Sequence, residues 1–454
     1  MLEKGKIYRF EIIDVGINFE GIAKTTEGLT VFIPGALKGE IVNVKIIKVN
    51  KSYALGEVKE YIAKSENRLE EDCKSYSLCG GCAARHTDYD TTLDIKLANA
   101  INTLKKQDID VSKIGSIYGM GNPYYYRNKL QYPVRCVNGK TVMGMFTKST
   151  HDIVENKECL IQDKVTHNVA HSLFRLIKEN GFIGYNEKIG TGDIRNIMIR
   201  RGIHTGEIMC VVVINNKKLV NDSRWNDIVN KIKGEYKEIC SFVLNINERN
   251  TNVILSNENV CIYGTEYITD KIGEYTFKIT ADSFFQINTI QAEVLYSILK
   301  ENLELDNDKN LLELYSGVGS IGIFLSDSVK DVYSVEIVES ATEAAKANAR
   351  INNITNIINV NGDASKETLR LANEGKVFDY IVVDPPRKGL DLAGIELILK
   401  LRPNKIGYVS CNVATLARDL NLLCTDNYEV KSIDLIDMFP WTHHVESIVI
   451  LEHK

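Results

Sequence analysis

Cys411 stands where a hydrophobic strand runs out and a helix begins, in YVSCNVATLARDL (408–420). Tyr408 and Val409 read as strand, and Ala414 to Leu420 has helical spacing. A free cysteine is most often a small buried hydrophobe, and it becomes a nucleophile only as a thiolate. Its neighbours along the chain decide between these roles. LLELYSGVGSIG places Gly317, Gly319 and Gly322 in G-x-G-x-x-G order after a strand and before a helix, a setting for a nucleotide-type ligand. Glu336 ends the next strand about 20 residues on, where a carboxylate can accept hydrogen bonds from ribose hydroxyls. Asp363 ends the third strand, placed to meet an adenine amino group.

Dehydrogenases share that much. The fourth strand, however, ends in VVDPPRKGL, where Asp384, Pro385 and Pro386 make a stiff, extended lip. Such a lip marks methyltransferases acting on planar nitrogenous substrates, with an ordinary turn as the competing reading. Cys411 ends the fifth strand, and ligands of open parallel sheets bind at that edge. The thiol therefore sits beside a methyl donor. Carbon 5 of uracil is a poor nucleophile. A thiolate adding to carbon 6 makes the ring enolate-like, so carbon 5 can take the methyl of S-adenosylmethionine. A general base must then remove the carbon 5 proton before the thiol is eliminated. FPWTHHVESIVIL offers a candidate in Glu446, at the start of the last strand, with His443 and His444 as rivals and a solvated strand end as the competing reading. A stacked base cannot present carbon 6 to a thiol, so the target is unpaired or flipped out. Phe284, Phe285 or Trp441 could hold it; for the phenylalanines, plain core is the alternative.

A second group of thiols has different spacing. Cys73, Cys79 and Cys82 read C-x5-C-x2-C in DCKSYSLCGGC, with Gly80 and Gly81 letting the backbone wrap. Cys159, in KECLIQD, is the candidate fourth ligand. Four thiolates suit either zinc or an iron–sulfur cluster, and spacing alone leaves both open.

Several elements must position these residues. The chain has 454 residues, 44% hydrophobic and 25% charged, enough for about three domains. No run of about 18 apolar residues and no apolar leader is present, so a cytoplasmic protein without a membrane span is expected. A disulfide framework is not expected there. Net charge is −5, yet residues 105–150 carry eight Lys and Arg against Asp108 and Asp110, a local +6, and RNIMIRRG adds Arg195, Arg200 and Arg201. Aromatics interleaved in NPYYYRNKLQYPV tilt this patch toward RNA. The fold class read from the pattern is multidomain α/β. Residues 1–62 form a small five-stranded barrel of the oligonucleotide-binding kind. Residues 63–280 form a mainly-β central domain with the cysteine loop, one helix around 163–180, and a helix at 86–107 that can dock on the catalytic domain. Residues 281–454 alternate strand and helix as a doubly wound, Rossmann-like sheet closed by an antiparallel hairpin. No obligate protein partner is evident, so a monomer is expected.

Taken together, the motifs resemble the RNA (uracil-5-)-methyltransferase family from end to end. GIAKTTEGLTVFIPGALKGE looks like its RNA-binding TRAM domain, and FFQIN, ELYSGVGSIG, DPPRKGL, YVSCNVATLARDL and HHVESIVIL follow the family's catalytic motifs in order. The resemblance implies a class I methyltransferase domain and a 4Fe–4S cluster on Cys73, Cys79, Cys82 and Cys159. It implies that Gln286, Tyr315, Glu336, Asp363 and Asp384 contact S-adenosylmethionine, with Cys411 as nucleophile and Glu446 as base. Ser320 stands where the family often has asparagine. Barrel plus cluster looks like the branch that acts on 23S ribosomal RNA; a transfer-RNA enzyme is the alternative, and a non-catalytic RNA-binding factor is the alternative of another class.

Overall fold

The structure, a computed structural model, describes residues 2–425 and 427–454. The N-terminal sheet has six strands, in the order Ile7–Glu11, Ile41–Val49, Tyr53–Ala63, Thr30–Pro34, Glu20–Lys24 and Asp14–Val15. Its alternating sequences bury every second side chain, as with Val42, Val44 and Ile46. The strand beyond the expected five is the two-residue Asp14–Val15, too short to carry a pattern. Gly56 is required where strands cross closely, because a Cβ there would lie 2.2 Å from Val44 Cγ1.

The central sheet, also six-stranded, runs Asn259–Gly264, Ile239–Ile246, Ile208–Ile214, Ile194–Arg201, Lys129–Val137 and Lys140–Met143. It packs against two helices, Lys164–Glu179 and Arg224–Glu235. Only the first helix was expected. The second is short, yet Trp225, Ile228, Val229 and Ile232 line its buried face at helical spacing.

The C-terminal sheet has eight strands: Ile357–Asn361, Asp331–Glu336, Asn310–Leu314, Tyr380–Val383, Lys405–Ser410, Glu446–His453, Tyr428–Ile436 and Ile114–Tyr118. The first five are parallel, and Glu446–His453 inserts antiparallel between Lys405–Ser410 and Tyr428–Ile436. Strand order reverses between Asn310–Leu314 and Tyr380–Val383, so the ligand crevice opens there. The expected hairpin is present but does not end the sheet. Ile114–Tyr118, from well before residue 281, adds in parallel to Tyr428–Ile436.

The helix Tyr89–Lys105 packs on this same unit, against Val413–Cys424. Asp88 caps it by accepting from Thr91 N–H at 2.7 Å. Its buried line is Thr92, Lys96, Ala100 and Leu104. Lys96 donates to Asp437 Oδ1 at 2.6 Å, both side chains being buried, and Tyr89 donates its hydroxyl to Asp437 Oδ2 at 2.7 Å. Among the described residues, no helix is long and apolar enough to cross a membrane.

Candidate active site

Strand pairing explains how Cys411 and Glu446 meet. The last paired residues of Lys405–Ser410 and Glu446–His453 are Ser410 and Ser447. Cys411 and Glu446 each lie one residue beyond that pair, at the carboxyl edge of the sheet. The next strand end along this edge carries Asp384, after Tyr380–Val383. Cys411 lines a cavity of about 230 Å³ whose walls include Ile17 and Phe19 of the turn between Asp14–Val15 and Glu20–Lys24, Lys96 of the docked helix, Arg387 and His443. Three parts of the chain thus meet around the thiol.

Negative charge is costly in this pocket. Burial first, then the Asp384 carboxylate, push Glu446 well above the ordinary carboxyl range, while Arg387 pulls the other way. Burial raises Asp384 to about 7, although it keeps some exposure to the crevice. The Cys411 thiol is also raised, by burial, then Glu446, then Asp384, with Arg387 opposing. The rival bases are weakened: burial and its His443 neighbour depress His444 to about 4, and burial lowers His443. A group that weak is a poor acceptor for a carbon-bound proton.

The donor crevice is built by the glycine loop. Gly317 (φ 54°) and Gly319 (φ 77°) take the left-handed backbone the turn requires. Glu336 accepts from Gly317 N–H at 2.9 Å and from Val338 N–H at 2.8 Å. It therefore fixes the loop itself, with lone pairs left for a ribose. Asp363 is exposed and caps the helix Ala364–Asn373, accepting from Lys366 N–H at 3.0 Å. Tyr315, half-buried, also has positive φ, 62°. Gln286 is buried, and its carbonyl accepts from Asn128 Nδ2 at 2.8 Å. Ser320 begins the helix Ser320–Leu325, and its hydroxyl meets that of buried Tyr296 at 2.8 Å, so its polar contact is internal. Of the candidate aromatics, Phe285 and Trp441 are buried, whereas Phe284 is 66% exposed.

Two contributors went unread in the sequence. Glu313, buried under the loop, accepts from Gly322 N–H at 3.0 Å and from the Ser334 hydroxyl at 2.6 Å. Burial raises it to about 7. Arg387 sits inside the quoted DPPRKGL, where its proximity to the thiol could not be seen.

Cys73, Cys79, Cys82 and Cys159 line one pocket with Arg85 and Met145. Among the described residues, no three His, Cys, Asp or Glu side chains are gathered so as to hold a metal ion. The thiols share a pocket, then, without being drawn into ligating geometry. The donor set nonetheless suits a thiolate-bound group. Gly81 N–H points at Cys79 Sγ at 3.4 Å, and buried Arg85 leaves Nη1 without a hydrogen-bond partner beside the thiols. Burial pushes Cys82 up to about 12.

A doubly wound sheet with a glycine-loop crevice, joined to a small all-β sheet that walls a thiol-bearing pocket, defines a methyltransferase of the nucleic-acid-modifying kind. The tRNA (uracil-5-)-methyltransferase family profile matches residues 88–454, and the TRAM domain profile matches residues 2–59. The chain is 39% identical over its full length to an uncharacterized RNA methyltransferase of Clostridium tetani, covering 97% of that protein. It is 40% identical over 99% of its length to another of Clostridium acetobutylicum, covering 98% of it. The crystal structure of Pyrococcus abyssi tRNA (uracil-54, C5)-methyltransferase in complex with S-adenosyl-L-homocysteine superposes with TM-score 0.78 at 25% identity, over 98% of this chain and 99% of that one. The protein belongs to the tRNA (uracil-5-)-methyltransferase family and is an RNA methyltransferase.

Proposed function

We propose that this enzyme methylates carbon 5 of a uridine in 23S ribosomal RNA, as a cytoplasmic monomer acting in ribosomal RNA processing. The observation carrying the reaction is the meeting of Cys411 and Glu446 beside Asp384, under a cavity of about 230 Å³. The methyl donor, S-adenosylmethionine, supplies an electrophilic methyl on a sulfonium; Gln286, Tyr315, Glu336, Asp363 and Asp384 would hold it. The Cys411 thiolate adds to carbon 6 of a flipped uracil and leaves the electron pair on carbon 5 to take the methyl. Glu446 removes the carbon 5 proton, and the carbon 6–sulfur bond breaks to return the thiolate. Arg387 favours the thiolate electrostatically. Exposed Phe284 would stack on a base of the opened strand. The TRAM sheet closes one wall of the pocket, so RNA must engage it as the target enters.

The four cysteines would hold a 4Fe–4S cluster, which would supply a fixed, charged structural and RNA-binding element rather than a redox step. The unpartnered Arg85 Nη1 at their pocket supports this reading. A brown colour and visible absorbance from protein purified without oxygen test it against colourless zinc. Transfer RNA is the second reading, favoured by one observation: the Pyrococcus tRNA enzyme covers 98% of this chain, N-terminal sheet included.

Incubation with 5-fluorouridine RNA and the donor tests the chemistry. Fluorine cannot leave as a proton does, so a covalent complex should persist on a denaturing gel and vanish in Cys411→Ala. Mapping 5-methyluridine in cells with and without the gene tests the target. Loss from transfer RNA, with ribosomal RNA unchanged, would refute the ribosomal reading.

A further inference from the structure

A cluster of cations in and beside the central sheet is not used by the uridine chemistry. Lys129 and Arg200 stand opposite each other on paired antiparallel strands, a placement that destabilises a sheet when the charges are alike. Arg200 is only 4% exposed. It donates Nη2 to the carbonyls of Ser283 at 2.5 Å and Ala281 at 3.3 Å, and its Nε has no partner. Arg127 and Arg201 likewise keep buried, unpartnered Nε atoms. The carboxylates nearby are few. Asp163 accepts from Arg201 Nη1 at 2.8 Å, and Asp282 lies within electrostatic reach of Arg200. Lys129 has no ion pair among the described residues; burial, then Arg200 and Arg127, lower it to about 7. Buried charge without a partner is costly, and an incoming anion would relieve it.

The location is specific. Arg200 bonds the backbone of the 281–288 loop, which carries exposed Phe284 and buried Gln286. Asn128, between Arg127 and Lys129, bonds Gln286 O. Arg127 also lies close enough to depress His444, which lines the Cys411 pocket. Arg127 therefore lies within electrostatic reach of the catalytic pocket, and Arg200 and Asn128 tie the cluster to the 281–288 loop. Basic residues with aromatic neighbours in RNA-binding proteins meet phosphate while the rings meet bases.

We propose that Lys129 and Arg127, backed by Arg200, grip a backbone phosphodiester of the RNA next to the flipped uridine. Phosphate there completes the cluster, while Phe284 on the adjoining loop takes a neighbouring base. The inference rests on the uridine-methylation reading and names how that substrate's backbone is held. The other anion that could reach this side is the donor's carboxylate, and the test separates the two.

The test measures binding of a fluorescein-labelled twelve-nucleotide oligouridylate to the full-length protein across a salt series. Each phosphate contact contributes about 0.7 to the slope of log K against log salt for single strands. Lys129→Gln should lower the slope by about 0.7 and weaken binding about tenfold at low salt. Lys129→Arg should restore both. Removing one of several crowded like charges should leave the melting temperature of Lys129→Gln equal to or above wild type, which a merely structural lysine would not do. Arg127→Gln gives a second reading of the slope. Calorimetric titration with S-adenosylmethionine should be unchanged in all variants. An unchanged salt slope in both Gln variants overturns the proposal, and so does weakened donor binding with RNA affinity intact. If wild type forms the 5-fluorouridine adduct while the slope is unmoved, the phosphate site alone fails. If wild type forms no adduct, the uridine reading fails and takes this inference with it.

Discussion

Replacing Glu446 with glutamine separates the two halves of the proposed reaction. The substitution keeps the shape of a side chain that is 6% exposed and leaves the strand pairing with Ile436 untouched. Burial already favours the uncharged carboxyl, so an amide there should not cost folding. Glu446 raises the Cys411 thiol only when ionised; an amide cannot ionise, so thiolate formation is not hindered and addition to carbon 6 stays intact. What is lost is the acceptor for the carbon 5 proton. A positioned general base contributes about 10²–10⁴-fold, or about 3–5 kcal/mol of barrier. Turnover of ordinary uridine RNA should therefore fall by about 10²–10⁴-fold, while a Cys411-linked, methylated RNA accumulates. Denaturing gels with methyl-labelled donor would show protein-bound label in Glu446→Gln and none in Glu446→Gln/Cys411→Ala. Turnover within about fivefold of wild type, or a large loss with no trapped complex, would refute the assignment of Glu446 as the base.

Three further outcomes follow from the same geometry. Lys96→Met leaves buried Asp437 without its cation, a change costing about 3–5 kcal/mol. The urea midpoint read by Trp441 emission, whose ring is 5.4 Å from Tyr89 on the same helix, should drop, and Lys96→Met/Asp437→Asn should recover much of the loss; no drop would show that the pair does not hold the helix. Gly322→Ala would place a Cβ 2.3 Å from Glu313 Oε2 and 3.0 Å from Ser334 Oγ; calorimetry should show weaker donor binding, and melting a loss of about 1–3 kcal/mol. Because the Cys411 thiol is raised above its ordinary 9, kcat/KM should climb with pH through neutrality and still be rising at pH 9. Arg387→Gln removes the cation that favours the thiolate, so its limb should move to higher pH; a flat profile above neutrality in wild type would contradict a protonated resting thiol.

Local signals carried much of this architecture. VNVKIIKV alternates apolar and polar residues as a half-buried strand does, and Val42, Val44 and Ile46 are its inward set. Glycine order between strand and helix marked the donor loop because Gly317 and Gly319 need positive φ. Three of the misses share one physical cause: each depends on a partner that the local pattern does not show. Lys96 reads as a solvated helix residue until Asp437, 341 positions away, is brought against it. Ile114–Tyr118 is too short and too weakly patterned to announce a sheet edge until Tyr428–Ile436 offers one. Glu313 reads as a strand carboxylate until Gly322 and Ser334 close over it.

Strand register has the same character and matters most for function. Nothing in HHVESIVIL says that its strand inserts between Lys405–Ser410 and Tyr428–Ile436 rather than adding at an edge. The insertion turns an antiparallel strand into the immediate neighbour of the thiol-bearing one, and pairing of Ser410 with Ser447 then brings Glu446 to the level of Cys411. A slip of one residue would turn every side chain of the strand to its opposite face. Ile448 and Ile450 pack in one core cluster and Val449 and Leu451 in the other, on opposite faces of the sheet. Such a slip would have to exchange these apolar sets between two packed layers, so hydrophobic burial along the whole strand fixes the position of one carboxyl group at its end.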